Sequence, residues 1–425
     1  MQFHSTRGRS PAVSFRDALF AGLAPDGGLY VPEALDPFPF EKFRGASVID
    51  LGTEIAARFV GDDIPRAQLT RLLASALDFP LPLVPVSDDV SALELFHGPT
   101  FAFKDVGARV MARLMAQLAG DDRTLTILVA TSGDTGSAVA QAFFELAGTR
   151  VVVLFPKEGV TPVQEAQFTT LGGNVTAVAV AGTFDDCQRL VKESFVDQEL
   201  GRRTGLTSAN SINIGRLLPQ VFYYAHAALQ GRRPALFSIP SGNFGNLTAG
   251  LWAWKLGAPI RGLVAATTIN DTVPRYVATG RYEPRPSVPT LANAMDVGNP
   301  SNAERIRFLF NDDVEALRAV VSTAVHTDAE VRLAIRDIWN RHGYIAEPHS
   351  AIGYLGLASR VEGGEAARVF LATAHPAKFR DTIEPVIGES VPLPPALEAA
   401  LERPRHVEQI RPELDELRPL LYDSP

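Results

Sequence analysis

The chain runs to 425 residues, enough for two or three domains with their own cores, and its hydrophobic share of 46% is that of an ordinary globular protein. No apolar run is long enough to span a bilayer, the start from Met1 to Arg9 carries no apolar leader, and a formal charge of −8 without a basic run argues against nucleic acid as a partner. A single cysteine, Cys187, excludes an intrachain disulfide, and eight scattered histidines without H-E-x-x-H or C-x-x-C give a metal no ligand set; a reducing, cytoplasmic setting without a metal is expected.

Residues 1–88 read as a mostly helical region, with helical spacing over Phe15 to Leu23 and Asp50 to Phe59 and a turn at Ala24-Pro-Asp-Gly-Gly28. Pro80, Pro82 and Pro85 then break the chain, which sets a boundary near residue 88. Beyond it, short apolar strands alternate with glycine turns and helices. Ser91 to Phe96 is a strand, His97-Gly-Pro-Thr100 a turn, and Val106, Val110, Leu114 and Leu118 mark a helix.

Thr124 to Ala130 is a buried strand, followed by the turn Thr131-Ser-Gly-Asp-Thr-Gly136, a helix from Ser137 to Ala147 and a strand from Arg150 to Phe155. Val175 to Val180 and Asp185 to Phe195 give another strand and helix, and Ile214 to Leu229 reads as one helix. Leu236 to Pro240, Ser241-Gly-Asn-Phe-Gly-Asn246 and Leu247 to Leu256 repeat the unit, with strands again at Gly262 to Ala266 and Ala367 to Thr373. Pro284 to Pro289 is an exposed loop, and residues 391–425 form a peripheral helical tail. This alternation predicts an α/β fold, with parallel sheets flanked by helices over residues 89–390.

In such a sheet, ligands gather where strand ends meet helix starts. Lys104 sits at one such junction, between Phe103 and the first helical turn. Apolar neighbours and the positive helix end both favour a neutral amine, the form that Schiff-base chemistry needs, although an isolated Phe-Lys-Asp more often marks a surface lysine with aromatic neighbours. The turn at 241–246 is small or polar at five of six positions, so its backbone can approach an anion, and it is neither a Walker loop nor G-x-G-x-x-G. A single phosphate monoester suits it better than a triphosphate; a turn required only by packing is the alternative. Thr131, Ser132, Gly133, Asp134 and Thr135 suit a carboxylate and an amine or ring hydroxyl, or merely cap the following helix. Ser208, Asn210, Asn213 and Arg216 could take a second phosphate, with helix capping and a surface arginine as the plainer reading.

Taken in order, His97-Gly-Pro-Thr-Phe-Ala-Phe-Lys-Asp105, Ala130-Thr-Ser-Gly-Asp-Thr-Gly136, Ser208-Ala-Asn-Ser-Ile-Asn213 and Pro240-Ser-Gly-Asn-Phe-Gly-Asn246 resemble the threonine synthases. Asn270-Asp-Thr-Val-Pro, Asn293-Ala-Met-Asp-Val, Glu347-Pro-His and Thr373-Ala-His-Pro-Ala-Lys-Phe extend the resemblance, which runs from Ser5 to about residue 385. The likeness is to the longer bacterial and fungal type with an N-terminal domain. One departure is Asn246, where many relatives carry Asp.

The resemblance implies a fold type II pyridoxal-phosphate enzyme, tryptophan synthase β-like. It implies conversion of O-phospho-L-homoserine and water to L-threonine and phosphate by γ-elimination and β-hydration, the last step of threonine biosynthesis. Carried over, Lys104 would hold pyridoxal 5'-phosphate through an imine, Gly242, Asn243, Phe244, Gly245 and Asn246 would cradle its phosphate, and Thr373 would face its ring nitrogen. A monomer or weak dimer is expected. The rivals are a serine or threonine dehydratase with the same cofactor loop, and a silent homologue that binds phosphate metabolites, against which Lys104 and Thr373 speak.

Overall fold

Two sheets built on deeply buried strands carry the molecule. In the computed structural model, which describes residues 1–119, 124–358 and 366–422, the larger sheet has six strands. From edge to edge these are Val321–Val325, Ile260–Thr267, Ala235–Pro240, Ala367–Ala372, Val90–Glu94 and Leu83–Pro85. All pair in parallel except the last, an antiparallel edge where Pro85 costs no ladder bond in the sheet's interior. The second sheet orders Val407–Ile410, Val175–Val180, Thr149–Pro156, Leu125–Ala130 and Gly205–Ser208, all parallel. Leu125–Ala130 and Ala235–Pro240 are buried at every position, as unbroken apolar runs must be when helices cover both faces.

The N-terminal helices Phe15–Ala21, Val48–Val60 and Arg66–Ala76 do not form a separate core. Phe15, Leu51 and Phe59 share one apolar cluster with Met111, Phe222 and Trp252. A Cβ on Gly52 would lie 3.0 Å from the Phe222 ring, so glycine lets helix and ring approach this closely. Buried Arg305 ties the same region to the site: its Nε donates to the Tyr30 carbonyl at 3.0 Å and its Nη2 to that of Ile212 at 2.7 Å.

Several local expectations change. The helix expected over Ile214 to Leu229 is two, Ile214–Leu217 and Gln220–Gln230, on either side of Pro219, which lacks the amide that one continuous helix would use. Gly205–Ser208 is a strand and Pro162–Thr169 a helix that the apolar pattern did not reveal. The tail expected to be helical holds the helices Pro395–Glu402 and Leu414–Tyr422, and between them the strand Val407–Ile410 extends the five-stranded sheet beside Val175–Val180. Residues 423–425 of that tail lie outside the described residues. No described helix is long and apolar enough to cross a membrane.

Candidate active site

Strand pairing brings Lys104 and Thr373 together. Val90–Glu94 and Ala367–Ala372 run side by side, and the chain beyond each stays in contact. The Leu95 amide donates to the Ala372 carbonyl at 3.0 Å, the Phe103 amide to that of Thr373 at 2.8 Å, and the His375 amide to that of Phe101 at 3.0 Å. An antiparallel bridge joins Ala102 to Ala374. Lys104 then opens the helix Lys104–Ala119. The turn before it is locked by buried Asp105, which accepts from the Thr100 amide at 2.9 Å and its hydroxyl at 2.6 Å. Burial pushes this carboxyl up to about 6, against the pull of the Thr100 hydrogen bonds. Gly98 is required here, because a Cβ would fall 2.5 Å from an Asp105 oxygen.

Two lysines share one carboxylate. Lys378 Nζ lies 2.6 Å from Asp134 Oδ1 and donates to the Thr100 carbonyl at 2.8 Å, whereas Lys104 Nζ is 3.9 Å from Asp134 Oδ2 and 4.6 Å from the Phe103 ring centre. Burial lowers the proton affinity of Lys104; Asp134 opposes this, while the charges of Lys378 and Arg216 add to it. Burial pushes Asp134 upward, but Lys378 and Lys104, with a 2.8 Å hydrogen bond from Gln164, outweigh it and hold the carboxyl well below its ordinary range. Asp134, expected to meet a substrate amine or ring hydroxyl, is thus engaged by protein groups.

The two glycine turns differ in what they leave free. The Thr131 hydroxyl accepts from the Gly133 amide at 2.9 Å and the Gly136 amide at 2.8 Å and donates to the Gly133 carbonyl at 2.9 Å, so it holds its own turn. The helix behind it starts early, at Asp134. The other helix starts at Gly245, after Phe244 in a left-handed conformation with φ 60°. Asn243 donates to Ser211 Oγ at 2.7 Å and accepts from the Ser301 amide at 2.6 Å. A Cβ on Gly242 would lie 2.6 Å from Met295 Cα, against backbone that cannot swing away. Asn246 Oδ1 accepts from the hydroxyls of Tyr223 and Tyr224, both at 2.6 Å, and its buried Nδ2 has no protein partner.

In the third stretch, Asn210 Nδ2 donates to the Ala130 carbonyl at 3.3 Å, and its amide donates to Ser208 Oγ at 3.2 Å. Buried Arg216 donates from Nη1 to the Ala209 carbonyl at 2.6 Å and leaves Nε unpartnered; burial lowers it to about 10. Asn213 spends both amide hydrogens on the carbonyls of Leu19 and Ser208 and accepts from the Gly215 amide, each at 2.9 Å. It is a helix cap.

One cavity of about 1160 Å³ collects Lys104, Thr131, Ser132, Asp134, Thr135, Ser208, Asn210, Arg216, the turn Gly242 to Asn246, and Thr373. Gly133 and Asn213 do not line it. Gly133 instead faces Gln164, 2.5 Å from where its Cβ would stand. His349 does line it, at the start of the helix Pro348–Ala358, and its chemistry was not read from the sequence. Glu-Pro at a helix start, with Pro at its first position, was the available signal.

A family model described as pyridoxal-phosphate dependent enzyme matches residues 86–373, and models of the threonine synthase N terminus and C-terminal region match 2–77 and 350–420. Threonine synthase of Serratia marcescens is 44% identical over 432 residues, covering all of both chains. The crystal structure of threonine synthase from Escherichia coli superimposes with a TM-score of 0.94 at 42% identity, and that of pyridoxal-phosphate-bound threonine synthase from Brucella melitensis with 0.94 at 37%; each comparison covers 99% of both chains. Likeness of this degree, sustained from end to end, makes this chain a member of the threonine synthase family of pyridoxal-phosphate-dependent enzymes.

Proposed function

We propose that the chain converts O-phospho-L-homoserine and water into L-threonine and phosphate, with Lys104 carrying the cofactor and moving the substrate's protons. The observation that carries this reading is a half-buried amine held only loosely by its carboxylate, in one cavity with a glycine turn that leaves a buried donor open. Pyridoxal phosphate fits that wall. Gly242 leaves no room for a side chain, and Asn246 Nδ2 lacks an acceptor that the protein does not provide. Lys104 would hold the cofactor covalently, the turn Gly242 to Asn246 its phosphate, and the Thr373 hydroxyl its ring nitrogen. When bound, it supplies an electron sink next to the substrate's α-carbon.

The chain's own residues do the rest. Lys104, favoured as a neutral amine by burial and by neighbouring positive charge, takes the proton from the substrate's α-carbon and then moves one from the β-carbon, so that phosphate leaves from the γ-carbon. Arg216, a buried residue of the cavity wall, brings a positive charge to the leaving phosphate. Ser132, Thr135, Ser208 and Asn210 line the wall available to the substrate's carboxylate and amine. Asp134 is kept ionised by Lys378 and does not trap the Lys104 proton. In this reading residues 1–88 are the N-terminal domain, 89–390 the two catalytic lobes and 391–425 a tail, and the enzyme works in the cytoplasm as a monomer or weak dimer.

Purified protein given O-phospho-L-homoserine should release inorganic phosphate and threonine in equal amounts, and homoserine should not react. A buried anion site loses a few kcal/mol when a neutral hydroxyl replaces phosphate, and hydroxide is the poorer leaving group. Comparable turnover of homoserine would remove the substrate assignment; no phosphate release, with serine or threonine deaminated instead, would favour a dehydratase.

A further inference from the structure

The substrate proposed above is an anion, with a phosphate and a carboxylate against one ammonium, and it must approach a chain whose formal charge is −8. The charged residues around the cavity mouth are mostly compensated. Glu304 accepts from the Thr6 hydroxyl at 2.6 Å and pairs with Arg7 at 3.2 Å, and Arg307 pairs with Asp312 at 2.6 Å. Asp185 and Lys192 lie two turns apart on one face of the helix Phe184–Val196 and offset one another. Arg285 differs. Its side chain is exposed, lines the cavity and pairs with no acidic group among the described residues.

The loop that carries Arg285 is exposed, yet it is strapped in place. Pro284 and Pro286 flank the arginine and restrict its backbone. The Arg285 amide donates to the Gly298 carbonyl at 3.2 Å, and a Cβ on Gly298 would collide with the Arg285 carbonyl oxygen, so this contact requires glycine. On one side Arg275 donates to the Glu283 carbonyl at 3.0 Å. On the other, Asn270 accepts from the Val288 amide at 2.8 Å and donates to its carbonyl at 2.9 Å. Asp296 accepts from the Thr290 amide at 2.9 Å and hydroxyl at 2.7 Å, and from Asn270 at 3.1 Å. The straps draw on Asn270-Asp-Thr-Val-Pro and Asn293-Ala-Met-Asp-Val, two stretches that no step of the proposed reaction uses.

We infer that Arg285 captures phosphate-bearing molecules at the mouth of the cavity, drawing the substrate's phosphate inward; that the molecule is O-phospho-L-homoserine rests on the function proposed above. No bond is made or broken in this role. A fixed cation at a cleft mouth acts on the encounter, over a range of about 30 Å at 0.01 M ionic strength and about 3 Å at 1 M. It therefore changes how readily an anion is taken up, and leaves the chemical step alone. The cations deeper in the cavity do not replace it. Lys378 is held at 2.6 Å by Asp134, Lys104 shares that carboxylate at 3.9 Å, and Arg216 is buried. On a loose loop the guanidinium would spend much of its time away from the mouth, and the straps keep it there.

The test is a charge series read against salt. With the holoenzyme, kcat and kcat/KM for O-phospho-L-homoserine are followed by phosphate release at about 0.01 M and about 1 M ionic strength. Arg285→Gln should lower kcat/KM about threefold to tenfold at low salt and leave kcat unchanged, as expected of a rim charge. Arg285→Lys should restore the wild-type value, and at high salt the Gln variant and wild type should converge. Arg281→Gln removes the same charge from the same loop outside the cavity, and should lose much less. Wild-type kcat/KM in Arg285→Gln at low salt overturns the inference and leaves the function standing. So does a loss that lysine fails to rescue, that salt fails to erase or that Arg281→Gln matches. A wild-type enzyme that releases no phosphate overturns the function instead. Uptake of pyridoxal phosphate by the cofactor-free protein then decides on Arg285: it should slow in Arg285→Gln with the same salt dependence, and an unchanged rate overturns the inference.

Discussion

Lys104, with 14% of its side chain exposed, and fully buried Lys378 are two amines facing one carboxylate, and they differ in almost everything that decides an amine's chemistry. Lys378 has Asp134 at 2.6 Å and the Thr100 carbonyl at 2.8 Å, so its charge is compensated and its position fixed. Lys104, at 3.9 Å, receives what remains of that carboxylate's attraction and has an aromatic ring on one side. A single negative charge cannot neutralise two cations in a dry site, and proximity awards it to Lys378. The lesson concerns reactivity rather than stability: one lysine holds the carboxylate closely, so the other is left without a close counter-charge.

The largest expected effect breaks the reactive member. Lys104→Ala removes both cofactor attachment and proton transfer, so loss of turnover should exceed the ~10²–10⁴-fold of one general base. Borohydride reduction of the wild-type protein followed by peptide mapping should mark Lys104, and a label on another lysine would contradict the assignment. Lys378→Met breaks the structural member. Removing one partner of a buried pair costs about 3–5 kcal/mol, to be read from denaturant unfolding. It also removes a positive charge that lowers Lys104, so the Lys104 pKa rises. Since only the neutral amine attacks an aldehyde, cofactor uptake by the variant should begin to fail at a higher pH than in wild type as pH is lowered. A profile that does not move, or moves the other way, breaks the proposed division of labour.

Arg216→Ala tests the third cation. Use of O-phospho-L-homoserine should weaken roughly 10²-fold, the scale of a charge-assisted contact, with cofactor affinity changed much less. Wild-type behaviour would hand that role to another basic residue. Gly242→Ala asks whether the cofactor is held by the turn as well as by the lysine. Overpacking against the Met295 backbone costs about 1–3 kcal/mol, so equilibrium dialysis should show roughly tenfold to hundredfold weaker pyridoxal phosphate binding. Gly245→Ala should do less, under about tenfold, because its Cβ meets the Ser211 Cβ at 3.3 Å, where a small shift relieves it.

The strand-to-helix setting of Lys104 and the two glycine turns were legible because each is a local pattern: an apolar run, then small residues, then helical spacing. The role of Lys378 was not legible, since Thr373-Ala-His-Pro-Ala-Lys says nothing of an aspartate far earlier in the chain. His349 was hidden for the same reason; its place in the cavity wall exists only once distant elements meet. Asn213 and Thr131 were polar residues next to a site that turned inward to cap backbone, a choice that sequence leaves open. Val407–Ile410 escaped because an edge strand with Glu408 and Gln409 exposed lacks the apolar run that betrays a central one. The helix Pro162–Thr169 had a readable start, Thr161-Pro-x-Gln164, which forms a capping box.

The bridge between Ala102 and Ala374 has a consequence for how the protein acquires its activity. Contacts between such distant parts of a chain are slow to form, since a very long loop must close before they contribute anything. Until residues 373–375 arrive, Lys104 is an ordinary solvated amine, protonated at neutral pH and a poor partner for an aldehyde. Capture of pyridoxal phosphate therefore reports late assembly. In a refolding experiment, helical signal should recover first and the cofactor's bound absorbance band should follow, timing the closure of the chain on itself.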